Sequence, residues 1–334
     1  MTPVLRIGIL GTARISLPAL IAPARHVSEA LVTAVAARDA ARAEAFALSH
    51  GLAVTYGSYD ELLADPDIDA VYNPLPNSLH GPWTMRAIAA GKHVLCEKPF
   101  ASNAAEAEHV AAAAEASGLV VMEAMHYRYH PLIHRMTEII RDGTLGPPRH
   151  IQCWTSFVIP DLTDIRYDYR LGGGALMDGG CYAIDFIRLV ANGEPSVTGA
   201  LADPLPGGSP LVDRAMAVRL TGDGLDAWFD SAFTRNGEFR AEAHVVGEDG
   251  DLRLSDFILA HRGRLVATRH GSVVADEQGA GDMGLSETTY VWQLRAFAAA
   301  VLRGEPFPTT AANAAGTMRL IDEAYAAAGL PTRG

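Results

Sequence analysis

The chain of 334 residues has only three cysteines, Cys96, Cys153 and Cys181, and they lie far apart. An odd number without paired spacing argues against a disulfide framework and a zinc-binding motif, so we expect three reduced thiols. There is also no apolar run of roughly 18 residues, so we expect neither a transmembrane helix nor a membrane partner. Because the N-terminus lacks the basic and apolar segments of a secretion signal, we expect a cytoplasmic protein.

Positive charge is scarce as well. The 27 Lys and Arg residues face 39 Asp and Glu residues, and the formal net charge is −12. A nucleic acid backbone would be repelled on average and no basic tract reverses this locally, so we expect no nucleic acid partner. Hydrophobic residues make up 49% of the chain, as in a globular protein. Its length exceeds the roughly 100 to 200 residues of one domain, which predicts two domains.

Up to about residue 125, short apolar runs alternate with Ala-rich helical stretches, a pattern typical of strand-helix-strand units on a parallel sheet. Gly51, Gly91 and Gly118 stand where they would end helices. The pattern predicts strands at 5–10, 31–36, 70–73, 93–96 and 119–123, with helices at 40–50, 59–64, 82–90 and 103–116. We therefore expect an α/β protein in which residues 1–124 form a doubly wound, Rossmann-type dinucleotide-binding domain.

From about Arg149 the pattern changes to β-rich segments, separated by turn-forming residues at 222–224 and 248–250. Predicted strands lie at 150–159, 214–220, 227–234, 242–247 and 265–270, and the segments 288–304 and 311–329 have a helical period. We expect residues 125–334 to form a second α/β domain, with a mostly antiparallel sheet and a helical tail that packs back on the body.

The turn Gly11-Thr12-Ala13-Arg14-Ile15-Ser16 follows the first predicted strand and precedes a helical stretch, as a dinucleotide-binding turn does. Backbone N–H groups and a helix dipole at such a turn favour a pyrophosphate. Only the first of the three fingerprint glycines is present, because Ala13 and Ser16 occupy the other two positions. An ordinary strand-to-helix connection therefore stays open as the alternative.

The end of the second predicted strand bears on which dinucleotide binds. Arg38 offers a planar guanidinium to a 2′-phosphate, which favours NADP(H). Asp39 would be either a ligand of the ribose hydroxyls of NAD(H) or the N-cap of the next helix. Arg38 could instead be a solvated surface residue at the start of the helix, so NAD(H) stays open as the second choice.

Two further segments carry reactive side chains. Lys98 follows a predicted strand, and Pro99 stiffens the turn from which its amine projects. The segment 172–185 is interpreted as a glycine loop that runs into a helix, with Asp178 and Tyr182 on one face. A solvated helix face is the alternative. Gly179 and Gly180 argue against it, since each costs about 1 kcal/mol relative to Ala in a helix and indicates close approach of another segment or a ligand.

These motifs, together with the segments 56–59, 69–72, 74–80, 91–99 and 290–293, resemble the Gfo/Idh/MocA oxidoreductases. The most similar branch is that of glucose-fructose oxidoreductase and dimeric dihydrodiol dehydrogenase. In this resemblance Tyr182 stands where that branch has tyrosine and inositol dehydrogenase-like members have histidine. The resemblance implies a cofactor site lined by Gly11, Thr12, Ala13, Arg38, Leu75, Asn77, His80, Glu97, Lys98 and Gln293.

The resemblance also implies an NAD(P)-dependent dehydrogenase or reductase that acts on a CH–OH or C=O carbon of a sugar, polyol or dihydrodiol. Negative charge develops on the carbonyl oxygen during reduction, so a proton donor and a fixed cation must converge there. We expect Tyr182 to be the general acid and base, Lys98 to stabilise the reacting oxygen, and Asp178 to orient substrate hydroxyls. A non-catalytic NAD(P)-binding regulator and an NAD-dependent glycosidase remain as alternatives.

The remaining expectations concern histidines and assembly. Packing at a loop is the alternative to cofactor binding for His80. His126, His130 and His134 have metal-ligand spacing, but Pro131 is expected to begin a helix after the first two of them, so we expect no metal site. The resemblance implies that the open face of the second sheet makes a homodimer or a higher homo-oligomer.

Overall fold

The computed structural model describes residues 3–191, 193–205, 207–279 and 288–334. The chain divides into two compact units: unit 1 comprises Met1–Arg128 and Met283–Ala315, and unit 2 comprises Tyr129–Asp282 and Gly316–Gly334. The sequence predicts a second domain from residue 125 onward, whereas Met283–Ala315 belongs to unit 1. Within these described ranges no helix is both long enough and apolar enough to cross a membrane.

Unit 1 is built on a six-stranded parallel sheet with the strand order β3-β2-β1-β4-β5-β6. Its strands are β1 (Leu5–Leu10), β2 (Ala30–Ala36), β3 (Val54–Tyr56), β4 (Ala70–Asn73), β5 (His93–Cys96) and β6 (Val121–Glu123). The order reverses between β1 and β4, and open α/β sheets bind their ligands at the carboxyl ends of the strands beside such a reversal. The predicted doubly wound sheet is confirmed. Only β3, a short strand with two exposed residues, was not predicted.

The helices of unit 1 begin and end at residues that the sequence marks clearly. Asp39, Ser58 and Asn103 cap the N-termini of three of them through side-chain oxygens. Gly51 and Gly118 adopt the left-handed conformation at the C-terminal ends. The helices are α1 (Ala22–Ala24), α2 (Ala40–His50), α3 (Tyr59–Ala64), α4 (His80–Ala89), α5 (Ala104–Ser117) and α8 (Thr289–Arg303). Helix α8 packs against β1 and β2, which explains why this late segment belongs to unit 1.

Unit 2 is built on an eight-stranded sheet with the order β14-β13-β12-β11-β7-β10-β9-β8. Its neighbouring strands are antiparallel except for the parallel pair β7 and β10, so the predicted, mostly antiparallel sheet is confirmed. The strands are β7 (Pro148–Val158), β8 (Ser196–Pro204), β9 (Asp213–Gly222), β10 (Leu225–Thr234), β11 (Arg240–Gly247), β12 (Gly250–Ser255), β13 (Arg264–Arg269) and β14 (Ser272–Gln278). Three of them, β8, β12 and β14, were not predicted.

The two faces of the central strands of this sheet differ within unit 2. Alternate residues such as Ile151 and Phe229 are buried, and helix α7 (Cys181–Val190) packs against β7 and β10. The opposite face carries Trp154 and Trp228, whose rings meet edge to face with centroids 5.2 Å apart, and both are partly exposed. The other helices of this unit are α6 (Pro131–Arg141) and α9 (Ala311–Ala327), which belongs to unit 2 from Gly316 onward.

All three cysteines are free and buried, in agreement with the expectation of reduced thiols. Burial raises the pKa of the Cys96 thiol well above its ordinary value and also raises the pKa of Cys153. Thiolate is the reactive form of cysteine, so these two side chains are chemically inert components of the core.

Candidate active site

The turn after β1 places Gly11 in a conformation that favours glycine. Its φ is +87°, and its N–H donates to the carbonyl of Ala36 at 2.8 Å. A Cβ at this position would lie 3.0 Å from Cδ2 of Leu75, so the missing side chain lets the loop after β4 approach the turn. Two predicted cofactor residues, Gly11 and Leu75, are thereby brought together.

The helical stretch that follows this turn is shorter than the sequence pattern predicts. The N–H of Ser16 donates to the carbonyl of Ala13 at 3.0 Å. The helical stretch that follows is one π-helical turn, Leu17–Ile21, continued by the three residues of α1. A long helix with a strong dipole is therefore not present behind Ala13, and backbone N–H groups are the main anion-binding feature of the turn.

Two arginines and two hydroxyl groups form a cluster beside the turn. Arg42 donates from Nη2 to Oγ1 of Thr12 at 3.2 Å. Burial raises the pKa of Tyr59, and the positive charges of Arg38 and Arg42 oppose this rise. The carboxylate of Asp39 accepts from the N–H of Ala41 at 3.0 Å and caps α2. Sequence analysis identified Arg38 but missed Arg42, although its position one helical turn later was a usable signal.

The loops after β4 and β5 are tied together by buried side chains. Asn73 donates from Nδ2 to the carbonyl of His80 at 3.0 Å and to Oγ1 of Thr84 at 3.2 Å. The imidazole of His80 has its Nδ1 2.7 Å from the carbonyl oxygen of Pro99 and its Nε2 2.6 Å from that of Leu75. His80 is 1% exposed, so its ring lies between two backbone carbonyls, and the neutral imidazole donates to one of them, depending on its tautomer. This arrangement corresponds to the packing alternative for His80.

Residues from the loops that His80 connects make up the next part of the site. Glu97 is buried and accepts a hydrogen bond from the Tyr72 hydroxyl at 2.8 Å. Burial and the nearby Glu97 charge raise the pKa of Tyr72 well above its ordinary value, so this phenol stays a donor. Lys98 is partly exposed and is joined to Pro99 by a cis peptide bond. Asn77, also partly exposed, begins a 3-10 turn that leads into α4.

Gln293 presents an orphaned amide inside unit 1. It lies on α8 with 0% of its surface exposed, and neither its Oε1 nor its Nε2 has a hydrogen-bond partner among the described residues. A buried polar group without a partner costs about 1 to 3 kcal/mol. Such a cost is tolerated where a ligand supplies the partner. The amide of Gln293, the open Gly11 turn and the Arg38–Arg42 cluster all fit a dinucleotide.

In unit 2, Asp178 and Tyr182 lie on a π-helical turn (Leu176–Gly180) and on α7, which continues it. They are 7% and 3% exposed, which rules out a solvated helix face. A Cβ on Gly179 would lie 2.7 Å from Oγ of Ser231, and one on Gly180 would lie 3.2 Å from the Phe229 ring. The predicted close approach is confirmed, and the approaching segment is the sheet of the same unit.

The carboxylate of Asp178 has a charged partner that the sequence analysis missed. Arg166 donates from Nε to Oδ2 of Asp178 at 2.8 Å and from Nη1 to Oδ1 of Asp164 at 3.1 Å. The charge of Asp178 raises the pKa of this guanidinium above its ordinary value. Two carboxylates therefore share this one guanidinium. Such a group offers several acceptors and donors to hydroxyl groups.

The three histidines with metal-ligand spacing do not share a helix face. His126 lies in a 3-10 turn with its Nδ1 2.9 Å from Oγ1 of Thr289. His130 caps α6, which begins at Pro131 as expected. In the part of the chain that the structure describes, no group of three or more His, Cys, Asp and Glu side chains is arranged to hold a metal ion.

A doubly wound parallel sheet with a glycine turn at its switch point, joined in one chain to a mostly antiparallel sheet unit, defines a class of dinucleotide-binding oxidoreductases. Residues 5–125 match a family model described as an oxidoreductase family with an NAD-binding Rossmann fold. Residues 133–253 match the GFO/IDH/MocA C-terminal domain. The chain therefore belongs to the Gfo/Idh/MocA oxidoreductase family, as the sequence resemblance implied.

Individual relatives agree with this assignment. The D-xylose 1-dehydrogenase (NADP(+)) 2 of Haloferax volcanii is 37% identical over 332 residues, which cover 96% of each chain. The trans-1,2-dihydrobenzene-1,2-diol dehydrogenase of Xenopus laevis is 38% identical over 189 residues, 56% of this chain and 57% of that one. A 3-ketoreductase from Actinomadura kijaniata, crystallised with NADP and TDP-benzene, superposes with a TM-score of 0.86 at 27% identity, covering 97% and 98% of the two chains.

The environment of His80 generates a pH prediction. Burial lowers its pKa to about 4 from about 6.5, against the opposing effect of the two carbonyls. Between these values the unfolded chain binds a proton that the folded chain does not, so stability falls as the pH drops from about 6.5 to about 4. At about 1.4 kcal/mol per pKa unit, His80 accounts for roughly 3 kcal/mol of this loss. The measurement is the free energy of unfolding in urea at a series of pH values.

His80→Gln is the matched variant, because glutamine keeps a donor for one carbonyl but does not titrate. We expect it to be less stable than wild type at pH 7 and to lose much less stability on acidification. His93, whose pKa burial also lowers, contributes equally to both proteins. Identical pH slopes in the two proteins would show that His80 does not carry this dependence.

Proposed function

We propose that this chain is an NADP(H)-dependent oxidoreductase that acts on a CH–OH or C=O carbon of a sugar, polyol or dihydrodiol. The observation that carries the cofactor choice is the cluster of Arg38, Arg42 and Thr12 beside the glycine turn. Asp39 supports the same choice, because its carboxylate caps α2 instead of facing a ribose. The H. volcanii relative is named as an NADP(+) enzyme, and the A. kijaniata structure contains NADP.

The proposed cofactor contacts follow the chemistry of each residue. Backbone N–H groups of Gly11, Thr12 and Ala13 would face the pyrophosphate, and Arg38 and Arg42 would pair with the 2′-phosphate. Leu75 would contribute apolar surface, and Gln293 would find in the carboxamide a partner for its buried amide. When bound, the nicotinamide supplies or accepts the hydride. Asn77, Glu97 and Lys98 complete the proposed set, while His80 holds the loops on which they lie.

The proposed acid-base chemistry uses the chain's own side chains. During reduction Tyr182 would give the proton of its Oη to the substrate oxygen, and during oxidation it would take that proton back. The Lys98 ammonium would stabilise the negative charge on the same oxygen. Asp178, held by Arg166, would accept hydrogen bonds from neighbouring substrate hydroxyls. We place these three residues as the catalytic group of the reaction.

The hydrogen-bonding groups of the Arg166 cluster bear on the class of substrate. The carboxylates of Asp164 and Asp178 can accept hydrogen bonds from substrate hydroxyl groups, and Arg166 holds both of them in place. This supports a substrate with several hydroxyl groups. The relatives named for D-xylose and for a dihydrobenzene diol are named for compounds of that kind.

The cofactor assignment is tested by Arg42→Ala. Loss of one phosphate partner should weaken NADPH binding by about 10- to 150-fold, because a hydrogen bond to a charged group contributes roughly 1.5 to 3 kcal/mol. NADH binding should change little, since it lacks the 2′-phosphate. The measurement is fluorescence titration with each dinucleotide. Equal effects on both, or a wild type that prefers NADH, would contradict the NADP(H) assignment.

Gln293→Leu is the comparison variant for that experiment. It should weaken NADPH and NADH alike, because the carboxamide is common to both. Since it also removes an orphaned buried amide, the dinucleotide-free protein should become more stable, by about 1 kcal/mol. A less stable protein with unchanged dinucleotide affinity would mean that Gln293 has a partner within the chain.

The role of Tyr182 is tested by Tyr182→Phe. Turnover should fall by about 10² or more, the usual contribution of general acid-base catalysis, while the affinity for NADPH stays unchanged. The assay follows NADPH absorbance against a panel of polyols, aldoses and dihydrodiols. Undiminished turnover in the variant would remove Tyr182 from the role. Tight NADPH binding by a wild type without redox turnover would favour the regulator, and aryl glycoside hydrolysis without net consumption of the dinucleotide would favour the NAD-dependent glycosidase.

We also propose that the tryptophan-bearing face of the unit 2 sheet joins two copies of the chain. Trp154 and Trp228 pack edge to face on it, and the guanidinium of Arg240 stacks 4.7 Å from the Trp154 ring. Aromatic residues and arginine are enriched in the centre of protein interfaces. A partly exposed tryptophan pair on a sheet is also unfavourable in water.

Trp228→Arg tests this assembly, with Leu48→Arg as its control on an exposed position of α2 in unit 1. We expect the first variant to sediment as a monomer, because a buried unpaired charge opposes association, and the second to sediment like wild type. Sedimentation velocity measures both. A Trp228→Arg protein with the wild-type sedimentation coefficient would exclude this face as the interface.

A further inference from the structure

Arg333, in the tail that follows α9, is fully buried in unit 2. Its exposed fraction is 1%, and it pairs with Asp213, whose exposed fraction is 0%. Nη2 of Arg333 lies 2.8 Å from Oδ1 of Asp213. The guanidinium also lies 4.0 Å from the centroid of the Tyr325 ring and 5.0 Å from that of Tyr169. Arginine is rarely buried unless it is paired, as it is here.

The ion pair reaches the backbone that leads to Asp178. Nε of Arg333 donates to the carbonyl of Gly173 at 2.8 Å. The other oxygen of Asp213 accepts from the N–H of Leu176 at 2.6 Å, where the π-helical turn that carries Asp178 begins. The Tyr325 hydroxyl donates to Oδ1 of Asp213 at 2.9 Å and is a further donor to this carboxylate.

The glycines between these contacts have no room for a side chain. Gly174 has a φ of +139°, and a Cβ there would lie 2.2 Å from Oδ1 of Asp213. Gly173 donates to the carbonyl of Asp168 at 2.9 Å, and Gly174 donates to that of Arg166 at 3.0 Å. The loop that presents Arg166 is therefore anchored on the same two glycines that Arg333 and Asp213 hold.

The buried ion pair of Arg333 and Asp213 is better suited to holding the backbone in place than to stabilising the fold. Burial raises the pKa of Asp213 to about 6 and the charge of Arg333 opposes this rise, so the carboxylate depends on its partner. Apolar residues of similar volume often stabilise a fold as well as a buried ion pair does. Directed hydrogen bonds, in contrast, fix a backbone at a defined distance and angle.

We propose that Arg333 is a positioning residue, which through Asp213 and the Gly173 carbonyl fixes the backbone from Arg166 to Leu176 and so sets the Arg166–Asp178 pair. The consequence for turnover rests on the proposed function, in which Asp178 meets the substrate. The consequence for the backbone depends on unit 2 alone.

The test compares Arg333→Ala with Leu252→Ala. Leu252 is a fully buried residue of β12, on the far side of the sheet order from β9, so its loss destabilises unit 2 without touching the ion pair. Hydrogen exchange followed by mass spectrometry should show faster exchange in peptides containing Gly173, Gly174 and Leu176 for Arg333→Ala only. The kcat/KM for the best substrate should fall by about 10²-fold, as for a displacement of roughly 1 Å, with an unchanged Kd for NADPH.

Ethylguanidinium added to Arg333→Ala should refill the space and recover both the slow exchange and part of kcat/KM, which it should not do for Leu252→Ala. Arg333→Lys serves if the alanine variant does not fold, because it keeps the charge but loses the Gly173 contact; it should show the same exchange pattern with a smaller loss of kcat/KM. Exchange and kcat/KM that match the Leu252→Ala control, without rescue, would overturn the proposal. A wild type without turnover would refute the proposed function, while the exchange comparison would still decide the positioning role.

Discussion

The loops that follow β4 and β5 have buried backbone carbonyl groups, which need hydrogen-bond donors. This requirement fixes how the two loops of unit 1 are positioned. Side chains from the start of α4 and from the end of β4 supply some of these donors. His80 lies between the carbonyls of Leu75 and Pro99 and, as a neutral imidazole, donates to one of them, and Asn73 donates to the carbonyl of His80. Because satisfying these groups draws the two loops together, the positions of Leu75 and Lys98 follow from it.

In unit 2, the segment that carries Asp178 and Tyr182 is held in place by different interactions. It is held by close backbone approach, which only glycine permits, and by a buried ion pair. Gly179 lets the π-helical turn before α7 approach the sheet at Ser231 and Phe157, whereas Gly174 makes room for the carboxylate of Asp213. A helix interrupted by a π-helical turn at its start is a feature often found at functional sites. The polar residues of this segment are thus buried among apolar neighbours, where electrostatic interactions are strong.

The sequence predicted the elements whose signal is local. Short apolar strands, N-caps and terminal glycines identified the parallel sheet and its helices, and the doubled glycine at 179–180 indicated a close contact. What it could not identify depends on distant pairs. Arg166 meets Asp178 across an irregular loop, and Arg333 meets Asp213 across 120 positions. No periodicity links such residues, so only the folded chain reveals them.

Some strands were not predicted, for a related reason. The edge strands β8 and β14 consist mainly of exposed or partly exposed residues. Their sequences therefore lack a regular alternation of apolar and polar residues, and they resemble loops. The segment that forms α8 was predicted as a helix but assigned to the wrong unit, since the sequence says where a helix lies and not which sheet it covers.

The burial of all three native cysteines has a practical consequence for work on this enzyme. Thiol-directed reagents attack exposed thiolates, whereas all three native thiols are buried, and burial raises the pKa of Cys96 and of Cys153. A single cysteine placed on a solvent-facing helix position, such as that of Leu48, would therefore be the preferred point of attachment for a fluorophore or a spin label. Conformational measurements can begin from the natural sequence, without first removing its own sulfur atoms.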